Sequence, residues 1–439
     1  MKVYKFGGTS VGTAKQMKSV ADLIHDSTPK IIVLSAMAGT TDKLTEINDY
    51  LYKNNFETAN ELIFELENNY FAVIEELYQN NDSKLIAKSL MNTLFESIKE
   101  NIGNEFNPDA ANMILAQGEM ISTGLFDIYL KEINVDSYLL PATDFMKTNQ
   151  NKEPDYPFIK QKLNSLLEKH STYPLFITQG FVCRNVHGNI DNLQRGGSDY
   201  TASIIGATIE AEEIQIWTDI DGIHNNDPRY VDNTRPVPAL SFDEAAELAY
   251  FGAKILHPSS ILPAKFSNIP VRLKNTMEPR AEGTVITKNT GCKGVRAIAA
   301  KDGITRIRIE SSRMLLAHGF LRKVFEIFED YETPIDMITT SEVGVSLTID
   351  NPVHMNEIIE SLKKYGTVNI EENQSIICVV GYLIGERQES LLKIIKSMQK
   401  TPIQMISYGG SNHNVSFLIP SEYKKKALND LHNHVLLDI

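Results

Sequence analysis

The sequence predicts an α/β protein with a mainly parallel sheet between helical layers, followed by two small α+β modules. Strand-like and helix-like segments alternate over the first 290 residues, and an internal repeat follows. Such alternation is typical of parallel sheets covered by helices. A chain of 439 residues allows two or three domains. We therefore predict one domain at residues 1–290 and a second at residues 291–439.

Four short apolar segments are predicted to be strands: Val3–Phe6, Ile31–Ala36, Pro174–Gln179 and Ile214–Trp217. The helical segments between and beside them are 13–24, 42–53, 57–101, 109–132, 156–169, 198–211 and 241–253. The acidic, Asn-rich insert at 57–101 is predicted to form a peripheral helical pair.

The repeat lies in the C-terminal part. Thr333-Pro-Ile-Asp-Met-Ile338 returns 68 residues later as Thr401-Pro-Ile-Gln-Met-Ile406, with five identities in six positions. Each copy is preceded by a strand, a glycine loop and an amphipathic helix, and is followed by an alternating strand. Two βαββ modules that pair their sheets are therefore predicted.

Composition excludes several classes of protein. The net charge of −13 argues against nucleic acid or an anionic membrane as partner. Cys183, Cys292 and Cys378 are too few and too scattered for a disulfide framework or a zinc site, which favours the cytoplasm. No signal-peptide h-region follows Met1, and the longest apolar run is too short to span a bilayer.

The segment Lys5–Gly12, Lys-Phe-Gly-Gly-Thr-Ser-Val-Gly, connects the first strand to the first helix. Backbone N–H groups at such a turn and the end of a helix dipole favour phosphate, and Lys5 adds a positive charge. The segment matches neither the P-loop nor the dinucleotide fingerprint. Two interpretations stay open: a site for a nucleotide polyphosphate, or a turn whose glycines only permit positive φ.

Ligands bind at the carboxyl ends of parallel strands, where further polar segments are predicted. Ser35–Asp42 offers hydroxyls and space to a ligand, or is a polar turn in which Thr41 or Asp42 caps the next helix. Glu119 stands in a largely apolar helix, where a carboxylate is costly unless paired. It either faces solvent or binds a ligand ammonium group.

Arg195–Thr201, Arg-Gly-Gly-Ser-Asp-Tyr-Thr, is a glycine turn that opens a helix. Ser198 is a natural N-cap there. The arginine offers a clamp for a carboxylate, with Asp199 as an acidic group beside it.

A last group of segments offers backbone and basic groups to a purine nucleotide. Asp219 and Asp221 are alternatively turn formers, and Lys254 a solvated helix residue. The segments are Trp217–Gly222, Asp227–Arg229 and Phe251–Pro258.

Six motifs occur in the same order in the aspartate kinases, and the chain resembles that family over essentially its whole length. They are Lys5-Phe-Gly-Gly-Thr-Ser, Gly118-Glu119, Arg195-Gly-Gly-Ser-Asp199, Trp217-Thr-Asp219, Asp227-Pro-Arg229 and Phe251-Gly-Ala-Lys254. The resemblance implies a three-layer αβα amino-acid-kinase fold followed by tandem ACT modules. The first ACT module (about 304–375) would be inserted into the second (about 294–303 and 376–439). The chain is similar to the monofunctional, lysine-sensitive branch, because it ends after the second module.

The resemblance implies transfer of the ATP γ-phosphoryl group to the β-carboxylate of L-aspartate, the first step towards lysine, threonine and methionine. Lys5, Arg195 and Asp199 would be catalytic. Thr41, Glu119, Arg195 and Ser198 would hold aspartate, with Arg195 on its α-carboxylate and Glu119 on its ammonium group.

The residues implied for ATP are Lys5, Phe6, Gly7, Gly8, Thr218, Asp219, His224, Arg229 and Lys254. His224 stands where relatives often carry tyrosine. Mg²⁺ would arrive with the nucleotide, since no carboxylate cage for a metal is evident.

The residues implied for an effector, most simply lysine, are Met314, Gly319, Phe320, Leu321, Asp336, Ser341 and Glu342. Ala317 falls where a serine contact is common, and the second copy has Gln404 at the position of Asp336. A homodimer or a dimer of dimers through the ACT modules is expected.

Two other functions are compatible with parts of the sequence. The first is a kinase of the same fold acting on another acceptor, such as glutamate, carbamate or a nucleoside monophosphate. The second is a sensor that binds nucleotide and amino acid without catalysis. Glu119 with Arg195 and the paired ACT modules argue against the first, and intact Lys5, Arg195 and Asp199 argue against the second.

Overall fold

The structure is a computed structural model, and it describes residues 1–26, 28–103, 106–193, 196–252, 256–291, 294–311, 318–382 and 388–436. The chain forms two compact units. The first unit is Met1–Ile223 with Leu256–Lys288, and the second is His224–Ile255 with Asn289–Ile439. Segment 224–255 thus belongs to the second unit, whereas the domain limit predicted from the sequence lies at residue 290 and stays a prediction.

The strands are numbered along the chain. They are β1 (Lys2–Phe6), β2 (Lys30–Leu34), β3 (Ser137–Leu139), β4 (Leu175–Gln179), β5 (Val182–Arg184), β6 (Ile190–Asn192), β7 (Ile214–Thr218), β8 (Ala239–Ser241), β9 (Val271–Asn275), β10 (Thr284–Thr287), β11 (Gly294–Glu310), β12 (Ile338–Thr340), β13 (Gly344–Ile349), β14 (Thr367–Tyr382), β15 (Met405–Tyr408) and β16 (Asn414–Pro420).

The α-helices are numbered in the same way. They are α1 (Ala14–Ile24), α2 (Thr40–Tyr52), α3 (Phe56–Leu77), α4 (Asn81–Lys99), α5 (Pro108–Glu132), α6 (Ala142–Phe145), α7 (Tyr156–Lys169), α8 (Gly197–Thr208), α9 (Phe242–Tyr250), α10 (Leu262–Phe266), α11 (Phe320–Asp330), α12 (Met355–Leu362), α13 (Gln388–Ser397) and α14 (Lys424–Leu431). The predicted strands and helices of both units are confirmed, with ends shifted by a few residues.

The sheet of the first unit runs in the order β3-β4-β2-β1-β7-β9-β10. All neighbours are parallel except β9 and β10. Tyr4 and Phe6 point into a core shared with α1 to α5. Lys5 lies between them and therefore points to the opposite face, where α8 packs on β1, β2 and β7. The predicted parallel sheet with helices on both faces is confirmed.

The insert at 57–101 forms the predicted helical pair, α3 and α4, and its inner face is apolar. Tyr70, Tyr78 and Phe95 are fully buried in the same core as β1 and β2. The Tyr78 hydroxyl donates to Leu125 O of α5 at 2.6 Å. The pair therefore covers the apolar surface of α5.

The second unit contains a six-stranded antiparallel sheet in the order β12-β13-β11-β14-β16-β15. The repeated segments occupy equivalent positions in it. The backbone N–H of Asp336 donates to Thr348 O, and that of Gln404 donates to Leu418 O, both at 2.9 Å. Each half of the sheet has its own apolar core, one around α11 and α12 and one around α13 and α14. Two α+β modules that pair their sheets are therefore present, as predicted.

Among the described residues, every helix is too short or too polar to cross a membrane.

Candidate active site

The turn after β1 approaches the loop after β2 very closely. A Cβ atom on Gly8 would lie 2.9 Å from Ala36 O, and Ala38 N donates to Gly8 O at 3.2 Å. Gly7 has φ −71° and Gly8 is not among the residues with positive φ. The alternative that these glycines only permit positive φ is therefore wrong for this turn. Glycine is needed at Gly8 because two backbones meet there.

Lys5 forms the central ion pair of the site. Its Nζ lies 2.8 Å from Asp199 Oδ1, and both side chains are mostly buried, with 12% and 13% exposed. Asp199 lies in the first turn of α8, where the helix dipole also favours a carboxylate. The pair holds an ammonium group at the carboxyl end of β1, as the sequence predicted.

The loop after β2 leads into α2 through Gly39, which adopts the left-handed conformation with φ 79°. Gly39 is the N-cap residue, and no side chain caps the helix. The alternative that Thr41 or Asp42 caps this helix is therefore wrong. Both residues lie in the first turn of α2 and remain available to a ligand.

Glu119 is buried in α5 beneath this loop, with 4% of the residue exposed. Ala36 N donates to its Oε1 at 3.2 Å, while Oε2 is buried with no donor among the described residues. A Cβ on the preceding Gly118 would lie 2.9 Å from Ala36 Cβ, so glycine allows this approach. Burial raises the pKa of Glu119 to about 7. The hydrogen bond from Ala36 N and the positive charge of Lys5 lower this pKa, but burial has the larger effect. The alternative of a solvent-facing Glu119 is wrong.

The N-terminus of α8 approaches the end of β4. Gly196, with φ 74°, is its N-cap residue, so the prediction of Ser198 as N-cap was wrong. A Cβ on Gly180 would lie 2.5 Å from Ser198 Cβ. Ser198 is thus the second residue of the helix and is pressed against the strand end.

A cavity of about 310 Å³ lies among these elements, all in the first unit. It brings together the predicted residues Gly8, Thr41, Glu119 and Ser198. The complete lining is Gly8, Ser35, Ala36, Met37, Ala38, Gly39, Thr41, Asp42, Glu119, Phe181, Gly197 and Ser198. The buried carboxylate and the N-terminus of α8 give it one acidic and one electropositive wall.

Phe181 is a cavity residue that sequence reasoning missed. It follows Gly180 at the end of β4 and has φ 65°, unusual for a bulky residue. Its backbone N–H donates to Thr201 Oγ1 at 3.0 Å. Its place after a predicted parallel strand was the available signal.

The residues predicted to bind ATP are divided between the first unit, the second unit and the part of the chain that the structure does not describe. Thr218 and Asp219 follow β7 in the first unit, where the Thr218 hydroxyl donates to Asp219 Oδ1 at 3.0 Å. The Phe6 side chain is fully buried and stacks on Trp217 with ring centroids 5.7 Å apart. Any contact of Phe6 with a nucleotide is therefore restricted to its backbone.

His224 and Arg229 belong to the second unit. The His224 ring lies 2.9 Å from Thr234 Oγ1. Arg229 donates to both oxygens of Asp227, with 75% of its side chain exposed. Burial raises the pKa of Asp227, but hydrogen bonds from Arg229 and its positive charge outweigh burial and hold that pKa below its usual value.

Several predicted residues lie outside the described residues: Arg195, Lys254 and Met314. In the second unit, Gly319 is the left-handed N-cap of α11, which begins with Phe320 and Leu321. Ser341 and Glu342 lie in the turn between β12 and β13. The Asp336 side chain is buried, and its carboxylate contacts Lys301 at 2.6 Å.

Within the described part of the chain, no group of three or more His, Cys, Asp or Glu side chains is arranged to hold a metal ion.

Comparison with known proteins agrees with this geometry. Residues 1–275 match the model of the amino acid kinase family, and residues 377–435 match an ACT domain. Lysine-sensitive aspartokinase 3 of Escherichia coli is 33% identical, over 99% of this chain and 98% of its own length. Chloroplastic aspartokinase 1 of Arabidopsis thaliana is 35% identical, over 98% of this chain and 79% of its own.

Solved structures give the same result. Aspartokinase III of E. coli in complex with aspartate and ADP is similar with a TM-score of 0.83 and 32% identity, covering 99% of this chain and 100% of that one. The same enzyme with lysine and aspartate gives a TM-score of 0.84, covering 99% of each chain. This chain therefore belongs to the amino acid kinase family and, within it, to the aspartokinases. The predicted family, fold class and enzyme class are confirmed.

Proposed function

We propose that the protein transfers the γ-phosphoryl group of ATP to the β-carboxylate of L-aspartate, giving 4-phospho-L-aspartate and ADP. One observation carries the proposal: the buried Glu119 carboxylate lines a cavity at the strand ends where Lys5 pairs with Asp199 at 2.8 Å. The E. coli relative was solved with aspartate and ADP, which supports the same substrates for this chain.

Phosphoryl transfer to a carboxylate requires charge neutralisation rather than proton transfer. The β-carboxylate of aspartate is ionised at pH 7, so it attacks phosphorus without a general base. An acidic substrate and a triphosphate repel each other, and phosphoryl transfer depends on positioning and on positive charge at the transferred group. Lys5 supplies that charge, aided by the backbone of Gly7, Gly8 and Thr9. Asp199 holds the Lys5 ammonium in place.

The substrate is oriented by its two backbone charges. Glu119 binds the α-ammonium group, because its Oε2 is buried without a donor among the described residues. Arg195 holds the α-carboxylate, and Thr41 and Ser198 give further hydrogen bonds. An amino acid satisfies both groups at once, whereas a nucleoside monophosphate or carbamate has no ammonium group for Glu119.

Thr218, Asp219 and the backbone after β1 are the residues of the first unit proposed for the nucleotide. His224, Arg229 and Lys254 are proposed for it from the resemblance alone. Mg²⁺ enters with ATP and neutralises phosphate charge. The chain's own residues contribute the lysine and the oriented N–H groups.

L-Lysine is the proposed feedback inhibitor, acting on the first ACT module. The E. coli relative was solved with lysine and aspartate, which supports this effector. The residues proposed to respond to it are Met314, Gly319, Phe320, Leu321, Asp336, Ser341 and Glu342. A homodimer or a dimer of dimers through the ACT modules is the proposed assembly, in the cytoplasm.

One assay tests the reaction against its alternatives. The protein is incubated with MgATP and L-aspartate, L-glutamate or no acid, and acyl phosphate is trapped with hydroxylamine. We expect hydroxamate with aspartate. Hydroxamate with glutamate alone would favour a glutamate kinase, and binding of both ligands by calorimetry without hydroxamate would favour a sensor.

A further inference from the structure

The Asp336 carboxylate in the second unit is buried and only half satisfied. Its side chain is 2% exposed. Oδ1 lies 2.6 Å from Lys301 Nζ and accepts a hydrogen bond from the Tyr250 hydroxyl at 2.8 Å. Oδ2 is buried and no donor in the described part of the chain reaches it. A buried acceptor without a donor is costly, so this oxygen favours a ligand that donates.

Lys301 has a second carboxylate within reach. Its ammonium group lies 2.8 Å from Asp350 Oδ2 and 4.4 Å from the centroid of the Tyr250 ring. The Asp350 side chain is more exposed, at 36%. Lys301 is therefore able to leave Asp336 and still keep an anionic partner.

Asp336 also lines a cavity of about 270 Å³ within the second unit. The Glu247 carboxylate, the Asn414 amide and Ser416 line it too. No Lys or Arg is among the described residues of this lining. The cavity has two carboxylates and room for a small group, which favours a cation.

We propose that the Lys301 ammonium competes with the ammonium group of an amine effector for the Asp336 carboxylate at this cavity. The inference rests on the proposed regulation by an amino acid, and it adds a cavity and a residue that set the concentration at which the effector acts. Two ammonium groups on one carboxylate repel each other. Binding of the amine therefore moves Lys301 towards Asp350.

The repeat supports the assignment. Gln404 occupies the position of Asp336 in the second module and carries no charge. The acidic acceptor with its competing lysine therefore belongs to the first module, which is the module proposed to respond to the effector.

The test is the direction in which affinity for the effector changes when the Lys301 ammonium is removed. A lysine with a purely structural role would weaken effector binding when removed, whereas a competitor would strengthen it. Binding of L-lysine and of cadaverine to the full-length protein is measured by calorimetry, and inhibition by L-lysine is measured in the hydroxamate assay. Lys301→Met is expected to tighten binding at least fivefold, roughly the lower end of coupling between sites.

Matched variants separate the competitor from general effects. Lys363→Met removes an exposed lysine paired with Glu360 in the same unit and should leave binding unchanged. Asp350→Asn leaves Lys301 with Asp336 alone and should weaken binding, which tests the proposal even if Lys301→Met does not fold. Glu247→Gln should also weaken it, because the cavity loses a negative charge.

Unchanged or weaker binding in Lys301→Met with normal uninhibited turnover would overturn the proposal, as would tighter binding in Asp350→Asn. So would the absence of amine binding in both the wild type and Lys301→Met. Failure of the proposed reaction has a different signature, the absence of hydroxamate with aspartate in any variant.

Discussion

Lys5 Nζ and Asp199 Oδ1 lie 2.8 Å apart, one on the first strand of the sheet and the other in the first turn of α8. The two residues are 194 positions apart in the sequence, and the parallel sheet brings them to one edge. Their pairing fixes a positive charge beside a cavity that also contains a buried carboxylate. Phosphoryl transfer between two anions requires such a charge.

Removal of this charge should abolish most turnover. Lys5→Ala is expected to lower kcat by about two to three orders of magnitude, the scale of one lost transition-state donor. Lys15→Ala, which removes an exposed lysine of α1, is the control and should keep normal turnover. Steady-state hydroxamate assays measure both, and near-normal kcat in Lys5→Ala would refute the role of Lys5.

Aspartate binding should depend on pH through Glu119. Its pKa is raised to about 7 by burial, so the carboxylate is increasingly protonated below that pH. Only the ionised form attracts an ammonium group, and KM for aspartate should rise about tenfold per unit as pH falls below 7. Glu119→Gln should raise KM at pH 8 about 10- to 100-fold, the value of a charged hydrogen bond, and lose this dependence.

The control is Asp109→Asn, which changes an exposed carboxylate in the same helix. It should keep both the wild-type KM and its pH profile. A Glu119→Gln enzyme with the wild-type profile would show that another group titrates.

The same carboxylate should affect stability. The pKa of Glu119 is about 7 in the folded protein against an ordinary value of 4.5, so the folded state binds more protons between these values. The free energy of unfolding therefore falls as pH rises from 4.5 to 7 and is flat above. This contribution spans about 3 kcal/mol, from 1.36 kcal/mol per pKa unit, and Glu119→Gln should lack it. Urea denaturation of both ligand-free proteins at pH 5 and pH 8 measures the difference, and parallel pH dependence would contradict the prediction.

Gly8 should tolerate no side chain. The added Cβ of Gly8→Ala would lie 2.9 Å from Ala36 O, which forces two strand-end loops apart. We expect a loss of about 1–3 kcal/mol in unfolding free energy, typical of overpacking, and a fall in kcat of at least about tenfold from misplaced N–H donors.

Gly7→Ala is the matched control for this pair of neighbours. Its Cβ would lie no closer than 3.5 Å to any atom, and its φ is ordinary. Its effect on both quantities should be clearly smaller. Equal effects of the two substitutions would show that the contact with Ala36 does not matter.

Feedback inhibition should depend on Asp336 and not on its counterpart in the repeat. Asp336→Ala is expected to relieve inhibition by L-lysine at least about tenfold in half-inhibiting concentration, because a charged hydrogen bond is lost. Gln404→Ala changes the equivalent position of the second module and should leave inhibition intact. Inhibition by threonine alone, or by neither amino acid, would contradict the assigned effector.

Much of the architecture could be predicted because it depends on local patterns. The apolar runs at Ile31–Ala36 and Ile214–Trp217 coincide largely with β2 and β7, and the order of helices between them indicated a parallel sheet. The βαββ repeat was visible because Thr333–Ile338 and Thr401–Ile406 share turn and strand residues. Patterns of this kind need no knowledge of distant contacts.

The errors concern residues whose environment is set by distant parts of the chain. Ser198 has the chemistry of an N-cap, but Gly196 occupies that position because α8 starts earlier and packs against Gly180. The 57–101 insert has an acidic surface, and only the structure shows that Tyr70 and Phe95 on its inner face are buried. Capping propensity and composition describe one segment alone, and here tertiary packing determined the outcome.

The sequence by itself indicated the class of chemistry through six motifs in the order found in the aspartate kinases, which include the lysine before the glycine turn and the Arg-Gly-Gly-Ser-Asp segment. Only the tertiary structure decided that Glu119 is buried with a raised pKa, that Ala36 leaves no room for a side chain at Gly8, and that Lys301 forms an ion pair with Asp336. Each of these facts depends on groups brought together by folding from distant positions, and desolvation and close packing arise only when they meet.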